Sequence, residues 1–120
     1  MKSDSHLTKS EQYASVYAMG NSWANTLLVM KALANGLNLS RYGFSVSQRV
    51  GKAVVRNRVK RLLREILREM PLEPGWDIIF IARPAAASAE YTSLKKSVRG
   101  LLIRAGLLTR DYEGASLSIN

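Results

Sequence analysis

The sequence predicts an α+β domain, with helices packed on a small sheet of three to four strands in the order α-β-β-α-β-α. Three patterns carry that prediction. Apolar residues recur at helical spacing from Val55 to Met70, Trp76 to Ala82 are almost continuously apolar, and Tyr42, Phe44 and Val46 alternate with small residues. The chain has 120 residues, 47% of them hydrophobic and 22% charged. That length supports one modest core, and the balance separates the chain from disordered basic tails.

Residues 1–7 are expected to form a flexible tail, 8–108 a single α+β domain and 109–120 a second flexible tail. Thr8 or Ser10 can cap a first helix, with Glu11 near its positive end. Tyr13, Val16 and Tyr17 fall on one face of that helix, and Gly20 and Asn21 stop it. Residues 24–34 read as a strand, Asn35-Gly36 as a hairpin turn, and 42–47 as the returning strand. The chain then enters a basic helix through Gly51, and Pro71, Pro74 and Gly75 end it. Residues 76–82 form a strand buried on both faces. Pro84 interrupts, and a last helix covers 91–105. Trp23 and Trp76 read as packing residues.

Net charge is +9. The window 41–70 holds nine Lys or Arg against Glu65 and Glu69, so it carries most of the excess. A field concentrated in this way steers a polyanion and makes its affinity salt-dependent. At 100° per residue, Val55, Val59, Leu62, Leu63, Ile66, Leu67 and Met70 share one face of the basic helix. Arg56, Asn57, Lys60, Arg61, Arg64 and Arg68 fill an adjoining sector almost free of acids, whereas Arg58 falls outside it, nearer Glu65 and Glu69. Charge patterning alone would favour a solvated face. The arginine content favours phosphate contact, because a guanidinium grips phosphate bidentately and stacks on bases. Asn57, a poor interior helix former, either caps the regular helix or reads a base edge or ribose hydroxyl.

Other chemistries find little support. With no cysteine there is no disulfide, thiolate nucleophile or Cys-based zinc site. The acids are not clustered for magnesium, and the single histidine, His6, gives no acid–base pair. Gly51-Lys52 is not a phosphate loop, since Ala53 stands where the hydroxyl is needed. The apolar run 78–81 is too short to cross a bilayer. The polar N-terminus has no apolar signal core, which sets a cytoplasmic expectation. An interfacial membrane helix is the weaker reading of the basic segment, because its apolar face is needed for the core.

Three motifs bring a resemblance into view: Gly43-Phe44-Ser45-Val46-Ser47, Val50-Gly51-Lys52-Ala53-Val54, and Arg56-Asn57-Arg58-Val59-Lys60-Arg61-Leu62-Leu63-Arg64-Glu65. Together with the 13–20 helix, Ser22-Trp23-Ala24-Asn25 and Asp77-Ile78-Ile79-Phe80-Ile81-Ala82-Arg83-Pro84, they resemble the bacterial ribonuclease P protein component over roughly 7–108. The resemblance implies a fold like the second domain of ribosomal protein S5, with a left-handed βαβ crossover. It implies an accessory subunit without a protein active site, assisting a catalytic RNA that uses Mg2+ to remove the 5′ leader of precursor tRNA. The protein alone would bind no cofactor, and its partners would be the catalytic RNA and precursor tRNA, with neither membrane nor DNA. Arg49, Lys52, Arg56, Asn57, Arg58, Lys60, Arg61, Arg64 and Arg68 would contact the catalytic RNA. The leader would lie in a cleft between the first helix and the sheet, at Tyr13, Tyr17, Leu28, Met30 and Phe44. Gln48-Arg49 departs from the basic pair common in the family, and the cleft aromatics here are tyrosines. A ribosomal or RNA-assembly protein is the alternative.

Overall fold

A computed structural model of the chain describes residues 5–109. The elements are β1 (Ser5–His6), α1 (Ser10–Met19), β2 (Asn21–Ala24), β3 (Leu28–Ala34), β4 (Arg41–Ser45), α2 (Ala53–Arg68), β5 (Trp76–Ala82), a 3-10 turn (Pro84–Ser88) and α3 (Tyr91–Ala105). The α+β class and the three helices agree with the sequence prediction. The sheet has four main strands, and the two-residue β1 adds a fifth at one edge.

Strand order is β1-β4-β5-β3-β2. This corrects the expected hairpin, because β3 and β4 are not neighbours: β5 lies between them, antiparallel to β3 and parallel to β4. The physical reason lies in β5 itself. Ile78, Ile79 and Phe80 are fully buried, and such a run needs cover on both faces and a partner on both edges. Asn35-Gly36 still turns the chain, with Gly36 at φ +73°, but the turn feeds a longer excursion to β4.

Residues 5–7 are also not a loose tail. Ser5 and His6 pair with Arg41 and Tyr42, and Leu7 is buried. At the other end Leu107 and Leu108 are buried, Leu108 bridges Leu72, and Thr109 N–H donates to Pro71 O at 2.9 Å. The domain therefore extends over all the described residues; 1–4 and 110–120 of the expected tails lie outside them.

Alternation along the strands divides the interior into two layers. Leu28, Met30 and Ala32 of β3, Tyr42 of β4, and Ile78 and Phe80 of β5 pack with Val59, Leu63, Ile66 and Leu67 of α2 and Leu94, Val98, Leu101 and Leu102 of α3. The residues between them serve the opposite face, where Val16 and Tyr13 of α1 cover Ile79, Leu33 and Ile81. Two helices thus lie on one side of the sheet and α1 on the other.

α1 starts without the expected Thr8 or Ser10 side-chain cap. Lys9 is the N-cap residue, and Gln12 Oε1 accepts from the N–H groups of Thr8 and Lys9 at 2.9 and 3.0 Å. Near the start of β5, Asp77 accepts from Arg41 Nε and Nη2 at 2.8 and 2.7 Å and from Asn35 Nδ2 at 2.8 Å. Asp77 is almost fully buried, so this bidentate pair neutralises a charge the interior would not otherwise hold.

Candidate nucleic-acid interface

β4 and β5 end at the same edge of the sheet because they are parallel neighbours. The loop 46–52 leaves β4 there and delivers the N-terminus of α2. Helix α2 then buries Val59, Leu63, Ile66 and Leu67 and keeps its charged flanks outside. Lys52, Arg61, Arg64 and Arg68 are exposed, and Arg56 and Lys60 are half-buried along their stems. Arg56 Nη1 donates to Gly51 O at 3.2 Å, fixing the guanidinium at the mouth of a depression of about 440 Å³ lined by Gln48, Gly51, Lys52, Ala53 and Arg56. Arg49 is exposed on the loop before it. Val54, 81% exposed at the start of α2, is an apolar side chain on this surface that charge patterning did not single out.

Arg58 departs from the row. Its Nη1 and Nη2 donate to Ala87 O and Ala89 O at 3.3 and 2.6 Å, clamping the segment that leads into α3. The helical wheel already placed Arg58 apart, and the structure assigns it this structural contact. Asn57 is exposed inside α2, whose N-cap is Lys52. The capping alternative for Asn57 is therefore removed, and its amide faces solvent beside the arginine row.

The expected cleft needs a correction. Leu28 and Met30 are fully buried on the α2–α3 side, and Phe44 packs against that same core, with its ring 5.7 Å from that of Tyr42. None of the three faces α1. Strand residues alternate sides, so the face opposite α1 consists of their neighbours. In register these are Val29, Ile81 and Ser45, then Lys31, Ile79 and Gly43. Tyr13 rests on Gly43, and its hydroxyl is 3.5 Å from Leu7 O. Burial raises the Tyr13 pKa, the nearby Tyr17 adds to the rise, and a backbone hydrogen bond from Phe44 opposes it. Tyr17 is 41% exposed, whereas Val29, Lys31, Ser45 and Ile81 are half-buried. This strip is a shallow trough with an aromatic wall and one cation, Lys31, that sequence reasoning missed. The strict period of two along β3 was the signal available for it.

Among the described residues no cluster of three or more His, Cys, Asp or Glu could hold a metal ion. Among the same described residues no helix is long and apolar enough to cross a membrane.

The sheet, the arginine-rich helix beside it and the tyrosine-walled trough define a small α+β domain with a concentrated cationic flank. The Ribonuclease P family model matches residues 1–106. The chain belongs to the ribonuclease P protein family, whose members are subunits of the tRNA 5′-processing ribonuclease. It is 47% identical to the ribonuclease P protein component of Dehalococcoides mccartyi, over 97% of each chain. The corresponding Clostridium kluyveri protein is 43% identical over 84% of this chain and 94% of its own. Among solved structures, the ribonuclease P protein of Staphylococcus aureus superposes with a TM-score of 0.78 at 28% identity, covering 91% of this chain and all of that one. That of Thermotoga maritima gives 0.74 at 29% identity, over 82% and 96%.

Proposed function

We propose that this subunit binds the catalytic RNA of ribonuclease P along α2 and the single-stranded 5′ leader of precursor tRNA in the trough under α1. The observation that carries the reading is the placement of the two surfaces. The α2 N-terminus and the open Val29–Ile81–Ser45 row lie at one end of the sheet, so a strand leaving the trough passes directly to the arginine row. Arg56, Lys60, Arg61 and Arg64 suit phosphates, Asn57 suits a base edge or 2′-hydroxyl, and Tyr17 offers a stacking face. Lys31 supplies a cation to the backbone of the same strand.

The chemistry then belongs to the RNA. None of the side chains that line the trough is a carboxylate or an imidazole able to deprotonate water, and burial holds the proton on Tyr13. Binding both RNAs neutralises crowded phosphates and lowers the magnesium the holoenzyme needs. Cleavage of precursor tRNA by a bacterial ribonuclease P RNA, at limiting magnesium with and without this protein, tests the reading. Strong stimulation, with no cleavage by protein alone, is expected. RNA binding without stimulation would leave a plain RNA-binding module.

A further inference from the structure

Helix α3 carries a second set of cations that the proposed holoenzyme contacts leave unused. Lys95, Lys96 and Arg99 line one depression with Thr92, and Lys96 also borders a groove of about 280 Å³ against the β2–β3 turn. The floor of that groove is rigid. Asn25 Oδ1 accepts from Leu27 N–H, Leu28 N–H and Ser97 Oγ at 3.2, 3.0 and 2.8 Å, and Asn25 Nδ2 donates to Ser97 O at 3.1 Å. Two exposed guanidiniums are tied to its rim: Arg83 donates to Asn25 O at 3.0 Å and Arg104 to Ala24 O at 2.9 Å. No carboxylate lines either depression. Glu69 reaches only Lys95, at 3.7 Å, from the α2 side, and Glu90 stands at the N-cap of α3.

Gly100 adds an independent observation. It lies inside α3, one turn after Lys96 and one turn before Arg104, and a Cβ built there meets nothing within 4 Å. Packing therefore does not require a glycine. Mid-helix glycine is unfavourable relative to alanine, and one physical use for it is to let another backbone approach closely.

We propose that this face of α3 is a second RNA-contact surface, seating the sugar–phosphate backbone of a double-helical segment against Gly100 between Lys96, Arg99 and Arg104. Phosphates fit the cations, and Ser93 and Thr26 suit 2′-hydroxyls. No aromatic ring lines the groove, so it lacks the stacking platform a single strand needs. The surface is separate from the α2 row, because the flank of α2 bearing Arg58 and Glu69 faces α3 and the row lies on the other flank. Two separate cationic surfaces on one domain bridge two RNA segments. The inference rests on the RNA-binding function proposed above.

The test is binding of the full-length protein to a labelled, mixed-sequence RNA duplex of roughly 16 base pairs across a salt series. The proteins compared are wild type, Lys96→Ala/Arg99→Ala, Gly100→Gln and Arg61→Ala/Arg64→Ala. Removing Lys96 and Arg99 is expected to reduce the salt slope by about 2, both alone and combined with the α2 substitutions. Gly100→Gln is expected to raise the melting temperature and yet weaken duplex binding, a pairing that a merely structural glycine would not give. An unchanged slope in both backgrounds overturns the proposal and leaves the holoenzyme reading intact. Loss toward polyglutamate equal to that toward duplex, with Gly100→Gln binding normally, reduces the face to a general cationic field and also overturns it. Failure of wild type to bind any RNA would instead remove the functional reading beneath it.

Discussion

The Tyr13 ring lies directly over Gly43: a Cβ at position 43 would meet Tyr13 Cζ at 2.7 Å and Cε2 at 3.0 Å. Glycine at this point of β4 lets the aromatic wall of the trough settle onto the sheet. Gly43→Ala is expected to push the ring outward and cost about 1–3 kcal/mol of stability, as overpacking of a filled site does. Urea midpoints measure the loss. Affinity for precursor tRNA should fall more than affinity for mature tRNA, because only the former carries the leader proposed to lie in the trough.

Tyr17 is the exposed aromatic and Tyr13 the anchored one. Tyr17→Ala should weaken leader-dependent binding by about tenfold, which corresponds to about 1.4 kcal/mol and lies within the range for one stacked base. Tyr17→Phe should retain most of it. Equal affinity of the Ala variant and wild type for leader-bearing substrate would remove Tyr17 from the site.

Arg58 and Arg61 are three residues apart and should behave in opposite ways. Arg58→Ala removes two charged hydrogen bonds to the 3-10 segment and should cost about 2 kcal/mol of stability. The salt slope of RNA binding should then change little. Arg61→Ala should leave stability within about 0.5 kcal/mol and lower the salt slope by about 1. Thermal melts and a salt titration of catalytic-RNA binding separate the two.

Asp77→Ala leaves Arg41 partly buried without its carboxylate and should destabilise by about 3 kcal/mol. Replacing both, Arg41→Met with Asp77→Leu, should lose less, since no charge is left unpaired. Urea unfolding of the three variants closes that comparison.

The Tyr13 pKa is raised from 10.0, first by burial and then by the nearby Tyr17. In the folded state the phenol holds its proton to higher pH than in the unfolded chain. Its contribution to stability is therefore complete below pH 10 and is lost as pH rises through the folded value. Tyr13→Phe should flatten the alkaline fall in stability, and phenolate absorbance should show one fewer late-titrating tyrosine.

The sequence by itself determined the helices, the doubly buried β5, the cationic flank of α2 and the family, because each is written in local periodicity or in a contiguous motif. β5 spans the residues the sequence reading gave it, and α3 falls within its approximate bounds. The arginine row was legible for the same reason: one helix orients all its residues through a single fixed angle. Tertiary structure alone decided the strand order, the docking of residues 5–7 and the true floor of the trough. Placing Leu28, Met30 and Phe44 there failed because facing in a strand reverses at every residue, so an error of one position exchanges the core for the site. Lys31 falls on the α1 face by that same parity, and Arg58 left the row because its partners, Ala87 and Ala89, lie 29 and 31 residues away. Such contacts depend on which elements become neighbours, and no local pattern in the chain encodes that.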